Sequence, residues 1–151
     1  MIVRPAVRAD AEAMARMHWL SANTAYGRTD PLERRLVAAA RIFDEDGTRA
    51  FLAEDDDGNV IGVLTVGDDE LYAIYVHPDH WGADVGQALL DRAETELAKT
   101  CAAASLTCMV ENARARRFYE RNGWRLGETF VEPHFGGEPT AVCRYHKAFE
   151  A

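Results

Sequence analysis

The chain has 151 residues and a net charge of −8, from 25 acidic against 17 basic side chains. That length suits one domain with its own core, and no apolar run is long enough for a membrane-spanning helix. Acidic residues are spread along the chain and no basic stripe exists to neutralise phosphates. This argues against nucleic acid and mildly favours a small cationic ligand.

The amino-terminal stretch MIVRPAVRADAEAM lacks the charged head and apolar centre of a signal peptide, so a cytoplasmic protein is expected. Ile2–Val7 predicts a short strand, and its Pro5 suits a sheet edge. Asp10 is placed to cap a helix running to about Ala25, with Met14, Met17, Leu20 and Ser21 on one side and Gly27 as its stop. Asp30-Pro31-Leu32-Glu33 is a second start signal, with Asp30 as N-cap and proline at the first helical position. Leu32, Leu36, Ala39, Ala40 and Phe43 then keep helical spacing to Gly47. Arg49–Glu54 and Val60–Val66 flank Asp56-Asp57-Gly58-Asn59, a hairpin signal whose acids read as a solvated turn. Glu70–Val76, ELYAIYV, completes a meander and is ended by His77-Pro78. From Val85, the residues Leu89, Ala93 and Leu97 line one helix face. Ala104–Val110 is a strand, and Asn112 caps a helix ending at Gly123. Trp124–Val131 and Thr140–His146 form a final strand pair around the Pro/Gly-rich segment Glu132–Pro139. This order describes one α/β domain over residues 1–151, a single mixed sheet covered by helices. Cys101, Cys108 and Cys143 form no CxxC pair and are expected as reduced, mostly buried thiols.

The stretch HWGADVGQ, His80 to Gln87, follows a strand and opens a helix. The first amides of a helix have no partner inside it, the helix dipole adds partial positive charge, and glycine lets a phosphate approach the backbone. Gly82 and Gly86 supply that freedom here. The plain alternative is a strand-to-helix turn. Asp84 complicates the anion reading, because Asp84-Val85-Gly86-Gln87 fits a capping box whose carboxylate would accept those same amides and repel a phosphate.

VHPDHWGADVGQALL, Val76 to Leu90, resembles the phosphate-loop signature of the GNAT superfamily of acyl-CoA-dependent N-acyltransferases. NARARRFYERNGW, Asn112 to Trp124, resembles that family's pattern N-x-x-A-x-x-F-Y-x-x-x-G-F/W. The resemblance implies a mostly antiparallel central sheet flanked by helices, with a splayed central strand pair. It also implies acetyl-CoA as acyl-donor co-substrate, without a metal. Carried over residue by residue, Ile74, Tyr75 and Val76 match the strand that binds the pantetheine arm. Trp81, Gly82, Ala83, Asp84, Val85, Gly86 and Gln87 match the pyrophosphate loop, and Asn112 matches the helix cap that touches the coenzyme. Tyr119 matches the general acid for the departing thiolate. An ordinary phenol is protonated at neutral pH, and the bland reading is a core tyrosine beside Phe118. Glu70 matches a base found in some members, against a solvated strand-end acid; desolvation and its neighbours Asp68 and Asp69 would raise its pKa. Two positions depart from the pattern: Trp81 stands where Gln or Arg is usual, and Asp84 replaces the first glycine of the G-x-G.

The implied reaction moves an acetyl group from acetyl-CoA to a primary amine by direct attack in a ternary complex. The acidic charge favours a small cationic amine over a protein N-terminus or lysine. Trp19–Pro31 and Glu132–Pro139 are expected to wall the acceptor site, and strand alternation puts Tyr72 beside Glu70 and Ile74. Arg114, Arg116 and Arg117 either reach the adenosine 3′-phosphate or form a solvated helix face. The proline in HPDH prevents a helical metal pair of His77 and His80; His18, His134 and His146 read as structural or surface groups. The alternative reading is a regulatory module with altered coenzyme binding, caused by Asp84. Homodimers are common in the superfamily, but this sequence does not establish one.

Overall fold

The computed structural model describes residues 1–26, 31–82, 84–133 and 138–150. Seven strands form one sheet: β1 (Ile2–Pro5), β2 (Arg49–Glu54), β3 (Val60–Val66), β4 (Glu70–Val76), β5 (Ala103–Met109), β6 (Arg125–Glu132) and β7 (Thr140–Ala148). Their spatial order is β1-β2-β3-β4-β5-β7-β6. All neighbours are antiparallel except β4 and β5. The expected sheet class holds, and Pro5 lies on the edge strand, where its missing donor costs no ladder bond.

Four helices cover the two faces: α1 (Ala11–Tyr26), α2 (Leu32–Ile42), α3 (Val85–Leu97) and α4 (Ala113–Arg121). The apolar stripes read from the sequence divide into two cores. Leu89, Leu90, Ala93 and Leu97 of α3, with Tyr119 of α4, pack on Leu64, Leu71 and Leu106. Met14, Ala15, Met17 and Ala39 of α1 and α2 pack on Leu52 and Val63 from the other side. Burying a side chain of that size from water contributes about 1.5–3 kcal/mol.

Two helix starts differ from expectation. Asp10 ends a single 3-10 turn, Arg8–Asp10, and its carboxylate accepts the Val7 N–H and the two terminal guanidinium nitrogens of Arg4 instead of standing alone as a cap. Pro31 occupies the N-cap position of α2 rather than its first helical position, and Asp30 lies outside the described residues. The Asp55 carboxylate accepts the amides of Asp57 and Asn59, which closes the predicted hairpin with Gly58 at φ +82°.

Two irregularities of β4 shape the site. Its pairing with β5 is confined to Glu70–Ser105 and Leu71–Leu106, after which the strands part. The expected splay is therefore present. The second irregularity is a β-bulge at Tyr72, since Thr65 pairs Ala73 while Val66 pairs Leu71. An extra residue in one strand reverses the alternation beyond it. Leu71, Ile74 and Val76 consequently share the α3 face, while Tyr75 faces α1 and α2. The placement of Tyr72 beside Ile74 is thus corrected: strict alternation ignores the bulge.

Candidate active site

The parting of β4 and β5 opens a cleft of about 640 Å3. Ile74, Tyr75 and Val76 form one wall, the start of α3 a second, and α4 a third. Trp81, Gly82, Asp84, Gly86, Gln87, Asn112 and Tyr119 all line it. The sequence-selected residues therefore converge, apart from Val85, Ala83 and Glu70. Val85 is 2% exposed and packs in the core, so only its backbone can serve a ligand. Ala83 lies outside the described residues.

The loop answers the question posed by Asp84. This residue is the N-cap of α3, but it sits in the left-handed region at φ 66°, ψ 0°, and its side chain makes no cap hydrogen bond. The capping-box expectation is corrected. Left-handed backbone turns the exposed carboxylate away from the geometry a cap needs, since N-caps are extended. Gln87 does not reach back either; its amide donates to Asp91 and Asn122. The side chains of Asp84 and Gln87 thus leave the first amides of α3 to the cleft.

Gly86 is the more telling glycine. An added Cβ there would lie 3.8 Å from Phe118 and Val76, an ordinary contact, and its φ is not positive. Neither packing nor backbone geometry demands glycine. The missing side chain leaves the helix N-terminus open to the cleft. Gly62 shows the contrast: a Cβ there would meet Leu89 at 2.8 Å, so packing alone accounts for it. Gly82, at φ +80° with open space around it, supplies the turn. A bare, amide-rich helix start is the cradle that a diphosphate needs.

Trp81 contributes differently from a glutamine or arginine. Its indole nitrogen donates to the Val76 carbonyl at 2.9 Å, so its one donor is committed to the protein. Arg114 stacks on the ring, with its guanidinium carbon 4.4 Å from the centroid. Arg117 and Arg121 continue along the same wall of the cleft. Arg116 points elsewhere, donating to the Tyr145 hydroxyl and the Val110 carbonyl, both at 3.1 Å. The expected trio is therefore corrected to Arg114, Arg117 and Arg121. Arg121 was legible in principle, because spacings of three and seven fall on one helix face.

Asn112 caps α4 by accepting the Ala115 N–H at 3.2 Å. Tyr119 is the core residue that the plainer reading expects, and it also borders the cleft. It is 8% exposed and packs between Phe118, Trp124 and Tyr145, yet it lines the cleft.

Glu70 lies outside this cleft. It is half-buried at the start of β4, in register with Ser105. Burial raises its carboxyl pKa above the ordinary value and Asp69 adds to the rise, while Arg144 opposes it.

A second cavity, of about 420 Å3, lies on the opposite face of the sheet between α1, α2, β3 and β4. Met14, Ala15, Ala39 and Val63 line its interior, with Arg35, Glu45 and Tyr72 among its polar residues. Tyr75 lines both cavities. The His18 ring lies flat on Tyr75, centroids 3.9 Å apart, so it is a wall of this junction. Of the segment Trp19–Pro31 expected to wall the acceptor, Ser21 and Ala22 line the first cleft and residues 27–30 lie outside the described residues, while the second cavity is walled by the earlier half of α1 and by α2. Residues 134–137 of the other expected wall, including His134, lie outside the described residues.

Among the described residues no group of three or more His, Cys, Asp or Glu could hold a metal ion, and no helix is long and apolar enough to cross a membrane.

The sequence profile of the acetyltransferase (GNAT) family matches residues 12–124, and the chain belongs to that family. No curated protein matches the chain. Solved structures share its fold. A putative acetyltransferase from Salmonella typhimurium, determined with its cofactor acetyl-CoA, has a TM-score of 0.76 at 21% identity, over 100% of this chain and 95% of that one. A variant of spermidine N-acetyltransferase from Vibrio cholerae gives 0.75 at 20% identity, over 98% and 95%. Ribosomal-protein-alanine N-acetyltransferase from Brucella melitensis gives 0.76 at 18% identity, over 99% and 100%.

Proposed function

We propose that this protein is an N-acetyltransferase that takes an acetyl group from acetyl-CoA and places it on a primary amine within a ternary complex. The observation that carries this reading is the bare start of α3, where Gly86 has no internal reason to be glycine and Asp84 leaves the helix amides to the cleft. Gly82, Asp84, Val85, Gly86 and Gln87 would hold the diphosphate through their backbone, with Ala83 completing the loop. Arg114, Arg117 and Arg121 would neutralise phosphate charge from α4, which an acidic chain needs locally. Ile74, Tyr75 and Val76 would hold the pantetheine arm along the open side of β4, beside Asn112.

Bound acetyl-CoA supplies a thioester whose carbonyl carbon accepts a nitrogen nucleophile. The chain's own groups then manage position and protons. Tyr75, shared by the two cavities, would set the meeting point of amine and thioester. Tyr119 would give its phenolic proton to the departing sulfur. Glu70, its pKa raised by burial, would take the proton released from nitrogen. Because Glu70 lines neither cavity, a water would carry that proton to it. A small cationic amine suits the acidic chain better than a protein terminus. The structural neighbours named for spermidine and for a ribosomal protein fall on both sides of that choice.

The test is calorimetric titration of acetyl-CoA followed by an amine screen read through thiol release. Binding with amine-dependent thiol release supports the reading. An absence of acetyl-CoA binding overturns it and favours a regulatory module that has kept the fold.

A further inference from the structure

The second cavity is polarised along its length. α2 begins at Leu32, six residues after α1 ends at Tyr26, so its first turn lies towards the carboxyl-terminal half of α1. His18 closes the first half of α1, and Ser21 and Ala22 in the second half reach the cofactor cleft. Arg35 therefore belongs to the end of the cavity nearest the thioester position. Ala38, Ala39 and Ile42 follow along α2, and Glu45 lies beyond its end. Arg35 and Ile42 are separated by roughly 10 Å of helix axis at about 1.5 Å per residue.

The far end is acidic. Besides Glu45, it holds the Tyr72 hydroxyl, which lies where a Cβ on Gly67 would be, 2.6 Å away. Gly67 begins the turn that carries Asp68 and Asp69. The Asp68 carboxylate lies against Gly47, 3.2 Å from where a Cβ on that glycine would be, beside the lining residues Glu45 and Thr48. Burial raises the Tyr72 pKa, and the carboxylates of Glu70, Asp69, Glu45 and Asp68 each raise it further. Arg49, the guanidinium bonded to the Gly67 carbonyl, is already engaged with Glu96. Between the two ends the floor is Met14, Ala15, Ala39 and Val63, each under a tenth exposed.

We propose that the acceptor is an α,ω-diamine with an uncharged, apolar spacer, its second ammonium held at the Glu45–Asp68 end while its reacting nitrogen meets the thioester at Tyr75. The inference rests on the transferase reading above and names the substrate class of that site. Each part of the cavity has a matching demand. A reacting amine must be neutral, and a guanidinium nearby disfavours its protonated form. The distal ammonium needs a carboxylate, and among the described residues that line the cavity Glu45 supplies it at that end. A spermidine-type chain would set an internal ammonium over the apolar floor, where an unpaired charge is costly.

The experiment compares kcat/KM for putrescine and cadaverine with their matched monoamines, butylamine and pentylamine, and with spermidine, in wild type, Glu45→Gln and Asp68→Asn. Acetyl-CoA affinity of each variant, measured by calorimetry, reports whether the fold and the cofactor cleft are intact. The expected result is a diamine preference over the matched monoamine of about tenfold or more at low salt. The ratio should collapse in either variant and shrink with added salt. Equal rates for diamine and monoamine, or a preference for spermidine, overturn the diamine assignment while the transferase reading stands. Acetyl-CoA binding without turnover of any of these amines also overturns it. Loss of acetyl-CoA binding in the wild type overturns the transferase reading itself.

Discussion

The Trp81 indole donates to the Val76 carbonyl across 2.9 Å and so ties the loop before α3 to the end of β4. These two segments form adjoining walls of the cofactor cleft, and the bond fixes their spacing. Trp81→Phe would keep an aromatic face under Arg114 and lose only that bond. Stability should fall by about 1 kcal/mol, the usual net value of such a bond. Acetyl-CoA affinity should fall by about fivefold, because the cradle and the pantetheine wall would no longer share one register. Chemical denaturation and calorimetry on the same preparation test both numbers. An unchanged affinity would show that the loop holds its place without the tie.

Asp84 invites a prediction in which charge and backbone separate. Glycine accepts φ 66° without penalty, whereas a left-handed conformation costs an ordinary L-residue about 1–2 kcal/mol and aspartate somewhat less. Asp84→Gly should therefore stabilise the fold by about 1 kcal/mol. It should also tighten acetyl-CoA binding by removing a negative charge beside the diphosphate. Asp84→Asn retains the backbone conformation and removes only the charge. If asparagine tightens binding as much as glycine, charge is the obstacle. If only glycine does, the close approach of the backbone is.

Much of this was legible in residues taken singly, and less in how they face one another. Most of the sheet and the cap of α4 followed from alternation, turn residues and Asn112, because these are local signals. The convergence of Gly82, Gly86, Asn112 and Tyr119 on one cleft followed from the two motifs. The errors share a cause. Asp84 matched a capping box by spacing, but the box presumes an extended N-cap, and backbone φ is set by the loop it closes. Tyr72 obeyed alternation until a bulge intervened, and a bulge belongs to a strand pair rather than to one strand. Arg116 looked equivalent to Arg117, but α4 turns it towards Tyr145. The α1–α2 cavity needed tertiary contact to appear at all.

Tyr119 carries a kinetic prediction. Tyr119→Phe retains the ring that packs on Phe118, Trp124 and Tyr145, so the fold should survive. A general acid typically contributes about 10²–10⁴-fold, and kcat should fall by at least the lower of these while KM for acetyl-CoA changes little. A steady-state comparison at saturating amine checks it. A fall confined to KM would assign Tyr119 to binding alone.

Arg117 and Arg121 can be separated from the helix amides by choice of ligand. On the proposed binding mode the amides would serve the diphosphate, whereas side chains on α4 would reach a further phosphate. Replacing either arginine with alanine should weaken coenzyme A by about three- to tenfold, with a shallower salt dependence. If one of them meets the 3′-phosphate, its removal should erase the preference for coenzyme A over 3′-dephospho-coenzyme A. Equal losses for both ligands would place that arginine on the diphosphate instead.

Glu70 makes a pH prediction whose sign follows from burial. A carboxyl group acts as a base only when ionised. Burial and Asp69 raise the pKa of Glu70 above its ordinary value, and Arg144 only partly offsets them. The acid limb of kcat/KM should then lie at higher pH than an ordinary glutamate gives, with activity rising as pH increases through that limb. Glu70→Gln should remove the limb and lower kcat/KM by about 10–10²-fold at neutral pH. Arg144→Ala should shift the limb further upward, since the guanidinium that opposes the rise is gone. A wild-type profile without an acid limb, or a limb that survives in Glu70→Gln, would move the base elsewhere. His18, flat against Tyr75 in the second cavity, is then the next group to replace.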